Sequence, residues 1–179
     1  LAKMATVIIM GPSGCGKTTV ANCLHLLTNC TYLEGDDYHS PENVAKMASG
    51  IPLTDNDRQL WLLALHSAIS KARQSSAFVV ATCSALKRQY RAVLDQPPNS
   101  GVLFVFLNCP KDVLVERVSS RKDHFLPSCL VQSQLDTLEP PSSEEENVLL
   151  VDSTLQPKII SAQILSRLGY SGYCNNNNK

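Results

Sequence analysis

GPSGCGKT, residues 11–18, follows an apolar run at residues 5–10 and precedes a helical pattern that begins at Lys17. The stretch fits G-x-x-x-x-G-K-[ST], the phosphate-binding loop that joins a strand to a helix. Its glycines allow successive backbone N–H groups to turn toward phosphate oxygens, and the dipole of the following helix points its positive end at the same place. The alternative is a glycine-rich turn that binds nothing, which the β-branched run before it and the apolar periodicity after it disfavour.

This loop predicts a site for ATP. Lys17 supplies a point charge for the β- and γ-phosphates, and the Thr18 hydroxyl is placed to coordinate Mg²⁺. We expect ATP to contact the loop and the start of the helix that follows it: Gly11, Pro12, Ser13, Gly14, Cys15, Gly16, Lys17, Thr18 and Thr19.

The length and charge of the chain restrict its class. It has 179 residues, and its 16 basic and 16 acidic side chains give no net charge. The chain as a whole therefore has no electrostatic attraction for nucleic acid or for an acidic membrane surface. Because the sequence has neither an apolar run long enough for a bilayer nor a secretory signal layout, we expect a cytoplasmic protein. We expect one domain over residues 1–174 and a polar tail over residues 175–179.

The seven cysteines are an odd number and include no C-x-x-C pair. This pattern argues against a disulfide framework and against a zinc site. Cys15 differs from the others because it lies inside the loop, where a helix N-terminus and Lys17 are expected to lower the pKa of its thiol. Sensitivity to oxidation at Cys15 is the resulting hypothesis.

Strand and helix patterns alternate along the rest of the chain. Trp61 falls on the apolar face of one long helical pattern, and we assign it to core packing without a chemical role. Five strands that alternate with helices predict an α/β fold with three layers around a five-stranded parallel sheet. The predicted strands are 5–10, 31–34, 78–83, 102–107 and 148–151, and the predicted helices are 17–28, 41–49, 55–74, 85–95, 110 onward, 130–138 and 157–168.

Acidic residues follow the second predicted strand. Glu34, Asp36 and Asp37 come at its carboxyl end, and that edge of an open α/β sheet is where ligands bind. We therefore expect these carboxylates to face Mg²⁺ and a phosphate acceptor. The alternative is a solvated turn that Gly35 bends.

Two groups of cations are candidates for binding an anionic substrate. Arg58 lies in the first turn of a predicted helix, where a positive charge opposes the helix dipole and needs a partner. A surface ion pair with Asp55 or Asp57 is the alternative explanation. Lys87 and Arg91 are four residues apart in another predicted helix and are expected to share one face.

Arg117 and Arg121 are one turn apart on the helix that starts near residue 110, and Pro127 breaks the segment after them. The pattern predicts a helical lid over about residues 117–141 that closes on phosphates and excludes water. The alternative is an ordinary solvated basic face.

The absence of two motifs from the sequence argues against two classes of nucleotide-binding protein. Residues 108–112 do not fit the N-K-x-D signature that reads guanine in GTPases, and the strand at 78–83 ends in Cys and Ser rather than in the Asp of ATP-driven motors. Small kinases with this loop take metal-facing acids from the strand after it, which is where Glu34 and Asp36 lie. A small kinase is the class that these features favour.

Four segments carry a resemblance to a known family: GPSGCGKT, EGDDYHSPENVAKMASGIPLTDNDR, CSALKRQYR, and HF followed by SQLDTLEPP. They resemble gluconokinase of the small P-loop type, a relative of shikimate and adenylate kinases, over nearly all of residues 10–152. The resemblance implies a P-loop kinase fold and the phosphorylation of D-gluconate by ATP to 6-phospho-D-gluconate, which feeds the pentose phosphate pathway. It also implies a homodimer.

The resemblance implies roles for individual residues. Asp36, Lys17 and Arg121 are assigned to catalysis, with Asp36 orienting the acceptor hydroxyl and receiving its proton. Arg117 and Arg121 are expected to contact the nucleotide. The loop from Asp152 to Pro157 is expected to hold its adenine. The residues expected to bind gluconate are Asp36, His39, Lys46, Arg58, Ser84, Lys87 and Arg91. Mg²⁺ is expected at Thr18 and Glu34, although Glu34 stands where the family pattern has Asp.

Two alternatives stay open on the sequence. One is a kinase of the same fold that acts on another small polar acceptor such as shikimate. The other is a catalytically silent nucleotide-binding module, which the presence of Lys17, Asp36 and the paired arginines disfavours.

Overall fold

Five parallel strands form one sheet in this computed structural model, which describes residues 5–120, 128–142 and 147–170. β1 pairs with β3 on one side and with β4 on the other. The chain leaves β1 toward β2 on one side of the sheet and leaves β4 toward β5 on the other. The crevice between the carboxyl ends of β1 and β4 is where such folds bind ligands. The strands are β1 (Ala5–Met10), β2 (Thr31–Leu33), β3 (Phe78–Cys83), β4 (Val102–Asn108) and β5 (Val148–Asp152), in the spatial order β2-β3-β1-β4-β5.

Helices connect these strands and cover the sheet, which confirms the predicted α/β fold. In the part of the chain that the structure describes they are α1 (Lys17–Thr28), α2 (Pro41–Ala48), α3 (Asp55–Ala72), α4 (Arg88–Leu94), α5 (Lys111–Ser119), α6 (Ser128–Thr137) and α7 (Pro157–Arg167), and a 3-10 turn spans Gly35–Tyr38. None of these described helices combines the length and the apolarity that a membrane crossing requires.

Side chains of the central strands alternate between two cores. Val7 and Ile9 of β1 pack in a cluster that α1, α5 and α7 complete, whereas Ile8 and Met10 pack in a second cluster with α3 and α4. Successive strand residues point to opposite faces, and a parallel sheet is covered on both. The result is the predicted arrangement of three layers.

Side-chain caps start the two helices that follow the 3-10 turn. The Ser40 hydroxyl accepts from Asn43 N at 3.2 Å, which begins α2. Thr54 and Asp57 form a reciprocal capping box at the start of α3, with Thr54 N donating to Asp57 Oδ2 at 2.8 Å and Asp57 N donating to Thr54 Oγ1 at 3.2 Å. Such caps satisfy N–H groups that a helix leaves unpaired.

The helix predicted at residues 85–95 begins later than expected. α4 starts at Arg88, because Ala85 has a left-handed φ of 42° and Lys87 is extended. The Leu86 carbonyl accepts a hydrogen bond from Glu139 N at 2.8 Å rather than from a following turn of helix. Tertiary contacts override helix propensity in this segment.

The 3-10 turn after β2 is held tightly against the sheet. Gly35 N donates to Thr82 Oγ1 at 3.1 Å, and Gly35 O accepts from Trp61 Nε1 at 2.7 Å. A Cβ atom on Gly35 would lie 2.0 Å from the backbone oxygen of Thr82. Glycine at this position therefore decides how closely the turn, and the acidic residues on it, approach the sheet edge.

We expect Gly35→Ala to lower the free energy of unfolding by about 1–3 kcal/mol, because the added methyl group must displace the turn from β3. Urea unfolding measures the change. Asp37→Ala is the matched control, since Asp37 is exposed on the same turn, and its effect should stay within about 0.5 kcal/mol. A Gly35→Ala chain as stable as the wild type would contradict the close approach to Thr82.

Candidate active site

The phosphate-binding loop leads into α1 without a side-chain cap. Gly16 precedes the helix with a left-handed φ of 104°, and no side chain of the described residues accepts from the first helical N–H groups. Such unpaired N–H groups at a helix start bind anions. Lys17 Nζ donates to Gly11 O at 3.0 Å and to Pro12 O at 3.3 Å, which holds its charge beside the loop.

Cys15 does not have the activated thiol that its position in the loop predicts. Its side chain is only 1% exposed. Burial raises the pKa of the thiol, and the nearby positive charge of Lys17 does not offset this effect. The expectation of a lowered pKa is therefore wrong, and with it the basis for oxidative sensitivity, since burial disfavours the thiolate.

The two residues predicted to bind Mg²⁺ are in direct contact. Thr18 Oγ1 donates to Glu34 Oε2 at 2.9 Å, and the hydroxyls of Tyr32 and Thr82 also donate to the Glu34 carboxylate. Burial alone would raise the pKa of Glu34, but the hydrogen bonds from Thr82, Tyr32 and Thr18 outweigh it, so the pKa is lowered. Glu34 is thus an ionised carboxylate next to the hydroxyl of the loop threonine.

Asp36 and His39 lie on and just after the 3-10 turn. The Asp36 side chain is exposed, and no described residue forms a hydrogen bond or an ion pair with its carboxylate. The His39 ring stacks on Trp61 with ring centroids 4.0 Å apart. Burial lowers the pKa of His39, with Asp36 opposing and Arg58 reinforcing the shift, so the ring is neutral near pH 7. Its buried Nδ1 has no hydrogen-bond partner among the described residues.

Arg58 is a buried cation at the start of α3. It is 8% exposed, its Nη1 donates to Tyr90 OH at 3.4 Å, and its guanidinium carbon lies 5.7 Å from the centroid of the Tyr90 ring. The ion pair with Asp55 or Asp57 that was the alternative explanation is not formed within the described chain. A buried charge without an opposite charge is costly, and an anionic ligand would relieve that cost.

Three further cations predicted to bind substrate have protein partners. Lys46 pairs with Asp57 at 2.6 Å, and Lys87 pairs with Asp55 at 2.9 Å. Arg91 is 4% exposed and donates from Nη1 to two main-chain carbonyls. The expectation that Lys87 and Arg91 share a helix face is wrong, because Lys87 precedes α4 and Arg91 points into the core.

A cleft beside the loop, which we call the acceptor cleft, brings many of the predicted residues together. Five of the residues predicted for catalysis or gluconate line it: Lys17, Asp36, His39, Arg58 and Ser84. The loop residue Ser13 lines the same cleft. The other lining residues had no predicted site role and are Met47, Pro52, Leu53, Trp61, Ser133 and Gln134.

A second cleft, which we call the nucleoside cleft, lies against the other part of the loop. Its lining includes Gly14, Cys15, Gly16, Thr19, Val20, Arg117, Ser120, Ser153, Leu155, Pro157 and Ile160. Arg117 joins its two walls, donating to Cys15 O at 3.3 Å and to Ser153 O at 3.2 Å. Arg121 and the part of the predicted lid at residues 121–127 lie outside the described residues.

Trp61 packs in the core as predicted, but the sequence reasoning missed that it also positions residues of the candidate site. Its indole N–H fixes the turn that carries Asp36, and its ring supports His39. A buried tryptophan usually gives its N–H a partner, which was the available signal. The hydroxyls that surround Glu34 had no comparable signal, because Thr82 is 48 positions away in the chain.

Comparisons with known proteins agree with this geometry. A protein-family profile described as an AAA domain matches residues 7–125. A probable gluconokinase from Xenopus tropicalis is 40% identical over 158 residues, which cover 80% of this chain and 83% of that protein. Both matches extend well beyond the phosphate-binding loop.

Two solved structures are similar over almost the whole chain. A sugar kinase from Janibacter sp. HTCC2649 is 41% identical with a TM-score of 0.84, and the match covers 94% of this chain and 96% of that one. A gluconokinase from Sinorhizobium meliloti 1021 is 41% identical with a TM-score of 0.79, covering 93% and 92%. With identity and coverage at this level, the chain belongs to the gluconokinase family of P-loop kinases.

Proposed function

We propose that the chain transfers the γ-phosphoryl group of ATP to the 6-hydroxyl of D-gluconate, releasing ADP and 6-phospho-D-gluconate. The observation that carries this proposal is the acceptor cleft. Lys17, the buried Arg58 and the Asp36 carboxylate, which no described residue pairs with, line one space there. The choice of gluconate is supported by the names of the relatives to which the chain is similar.

The two clefts divide the loop between nucleotide and acceptor. Gly14, Cys15 and Gly16 line the nucleoside cleft, whereas Ser13 and Lys17 line the acceptor cleft. With adenosine in the first cleft and gluconate in the second, the terminal phosphate of ATP reaches the boundary between them. Transfer then requires no movement of either substrate along the sheet edge.

Asp36 is suited to orient the acceptor hydroxyl. The hydroxyl oxygen attacks the γ-phosphorus, the bond to the bridging oxygen of ADP breaks, and Asp36 receives the hydroxyl proton. Because phosphoryl transfer passes through a loose transition state, aiming the hydroxyl contributes more than removing its proton. A carboxylate that no described side chain already engages is free for this task.

Thr18 and Glu34 fit a Mg²⁺ ion. Both offer oxygen atoms, the ligands that Mg²⁺ prefers, and the Glu34 carboxylate is held ionised. Three hydroxyls already donate to that carboxylate, which has about four lone-pair positions, so we assign it one contact to the ion or to a water on it. When bound, Mg²⁺ neutralises charge on the β- and γ-phosphates.

Arg58 is the residue to which we assign the gluconate carboxylate, and His39 and Ser84 are assigned to its hydroxyls. Lys46, Lys87 and Arg91 stand outside the cleft lining and already have protein partners. A shikimate-type acceptor and a catalytically silent module are disfavoured, since neither is what the relatives at about 40% identity are named for.

Release of ADP in a coupled assay tests the function. We expect release to depend on D-gluconate and to be much slower with shikimate, glycerate or nucleoside monophosphates. Faster release with one of those acceptors would overturn the choice of gluconate. Release without any acceptor would identify an ATPase, and no release under any condition would identify a binding module.

Asp36→Asn is expected to lower kcat by about 100-fold or more, the usual contribution of a positioned acid or base, with little change in ATP affinity. Steady-state kinetics and nucleotide titration measure the two quantities. Asp37→Asn is the matched control on the same turn and should keep most of the activity. An unchanged kcat for Asp36→Asn would rule out the role.

Arg58→Lys is expected to raise KM for gluconate by about tenfold or more, because an ammonium group cannot form the paired hydrogen bonds of a guanidinium with a carboxylate. KM for ATP should change little. Arg73→Lys is the control, since Arg73 bonds to Ser100 O at the far end of α3. If Lys46→Ala or Lys87→Ala raised KM for gluconate and Arg58→Lys did not, the carboxylate would belong at those lysines.

A further inference from the structure

Gln134 of α6 forms hydrogen bonds with the phosphate-binding loop. Its Oε1 accepts from Ser13 N at 2.7 Å, and its Nε2 donates to Ser13 Oγ at 3.3 Å. Because a backbone N–H only donates, the side-chain atom nearest to it must be the oxygen, which fixes the orientation of the amide. No role for Gln134 follows from the loop motif or from the assignments above.

Packing on both sides of Gln134 fixes where it points. Val131 is 3% exposed, and Leu135 packs against the same core cluster. Just beyond α6, Glu139 N donates to Leu86 O at 2.8 Å, and the Glu139 carboxylate accepts from Arg88 N at 2.7 Å. The helix is thus anchored at its core face and at its end, and Gln134 is held over the loop by these contacts.

Ser13 belongs to the part of the loop that meets the acceptor. Ser13, Gln134, Lys17 and Asp36 line the acceptor cleft together, whereas residues 14–16 line the nucleoside cleft. The Ser13 N–H is therefore at the end of the loop that the terminal phosphate of ATP approaches. The carboxamide oxygen of Gln134 accepts a hydrogen bond from this donor.

A phosphate oxygen competes with Gln134 for the Ser13 N–H. Hydrogen bonds to an ionised acceptor are about twice as strong as those to a neutral one, so the phosphate displaces the carboxamide oxygen. Rotation of the side chain amide then presents its N–H₂ group, which is a donor of two hydrogen bonds. Glutamine suits both states, whereas a carboxylate would suit only the first.

We propose that Gln134 Oε1 and the terminal phosphate of ATP compete for the Ser13 N–H, and that Gln134 donates from Nε2 to that phosphate when ATP is bound. The effect of Gln134 on transfer to gluconate rests on the proposed function. Its effect on nucleotide binding rests only on the phosphate-binding loop. Gln134 thereby distinguishes a triphosphate from a diphosphate at the loop.

Affinities for ADP and for β,γ-imido ATP, measured by calorimetry with Mg²⁺, test the proposal. Gln134→Glu keeps the size of the side chain, replaces its donor by an acceptor and adds negative charge. We expect it to weaken binding of the triphosphate analogue by about tenfold or more, the value of one hydrogen bond to a charged group, and to leave ADP affinity little changed. Gln134→Ala, which removes the donor, should lower kcat by about the same factor.

Gln132→Ala is the matched control. Gln132 is exposed on the same helix and donates to Asp136 at 2.7 Å, away from the loop, so both affinities and kcat should match the wild type. Thermal unfolding of each variant shows whether α6 is still docked. A side chain that only tied α6 to the loop would affect ADP and the triphosphate analogue alike.

Equal losses for both nucleotides in Gln134→Glu, or no loss for either, would overturn the proposal, as would an unchanged kcat in Gln134→Ala. Failure of the proposed function gives a different result. If the wild-type chain does not phosphorylate D-gluconate, the proposed function is wrong. The affinities for ADP and for the triphosphate analogue still decide the role of Gln134. A wild-type chain that binds neither nucleotide would overturn both.

Discussion

The close approach of the Gly35 backbone to β3 positions the chemistry of this chain. Trp61 and Thr82 hold Gly35 from two sides, and there is no space for a Cβ atom between the turn and the sheet. Glu34 on one side of Gly35 reaches the loop threonine, and Asp36 on the other side lines the acceptor cleft. This backbone contact thus places Glu34, the predicted metal ligand, and Asp36, the predicted catalytic carboxylate, at the same edge of the sheet. Ligands bind at this edge in parallel α/β sheets.

Local pairing of charges explains how a chain without net charge prepares a site for two anions. Lys46 pairs with Asp57 and Lys87 pairs with Asp55, both acids in the first turn of α3, and these two ion pairs are only partly exposed. Arg58, which is buried beside Tyr90 and lines the acceptor cleft, forms no ion pair with any described residue. We propose that the carboxylate of the acceptor supplies the opposite charge that Arg58 lacks, because an unpaired buried charge is costly.

Much of this architecture follows from local patterns in the sequence. The apolar runs and the loop motif predict the strands and the phosphate site, since each depends on neighbouring residues. Contacts between distant segments explain what was missed. The left-handed Ala85 delays α4 and turns Arg91 into the core, and burial reverses the expected pKa shift of Cys15. Neither effect can be read from a short window of sequence.

The division of one loop between two clefts determines where a phosphoryl group can move. Residues 14–16 and Arg117 line the nucleoside cleft, while Ser13 and Lys17 line the acceptor cleft. In the proposed reaction, a nucleotide bound along the loop has its terminal phosphate where the two clefts meet, close to the hydroxyl of the acceptor. Gln134 of α6 bonds to the loop, and Glu139, just after α6, bonds to the start of α4, so one short stretch of chain connects the loop to α4.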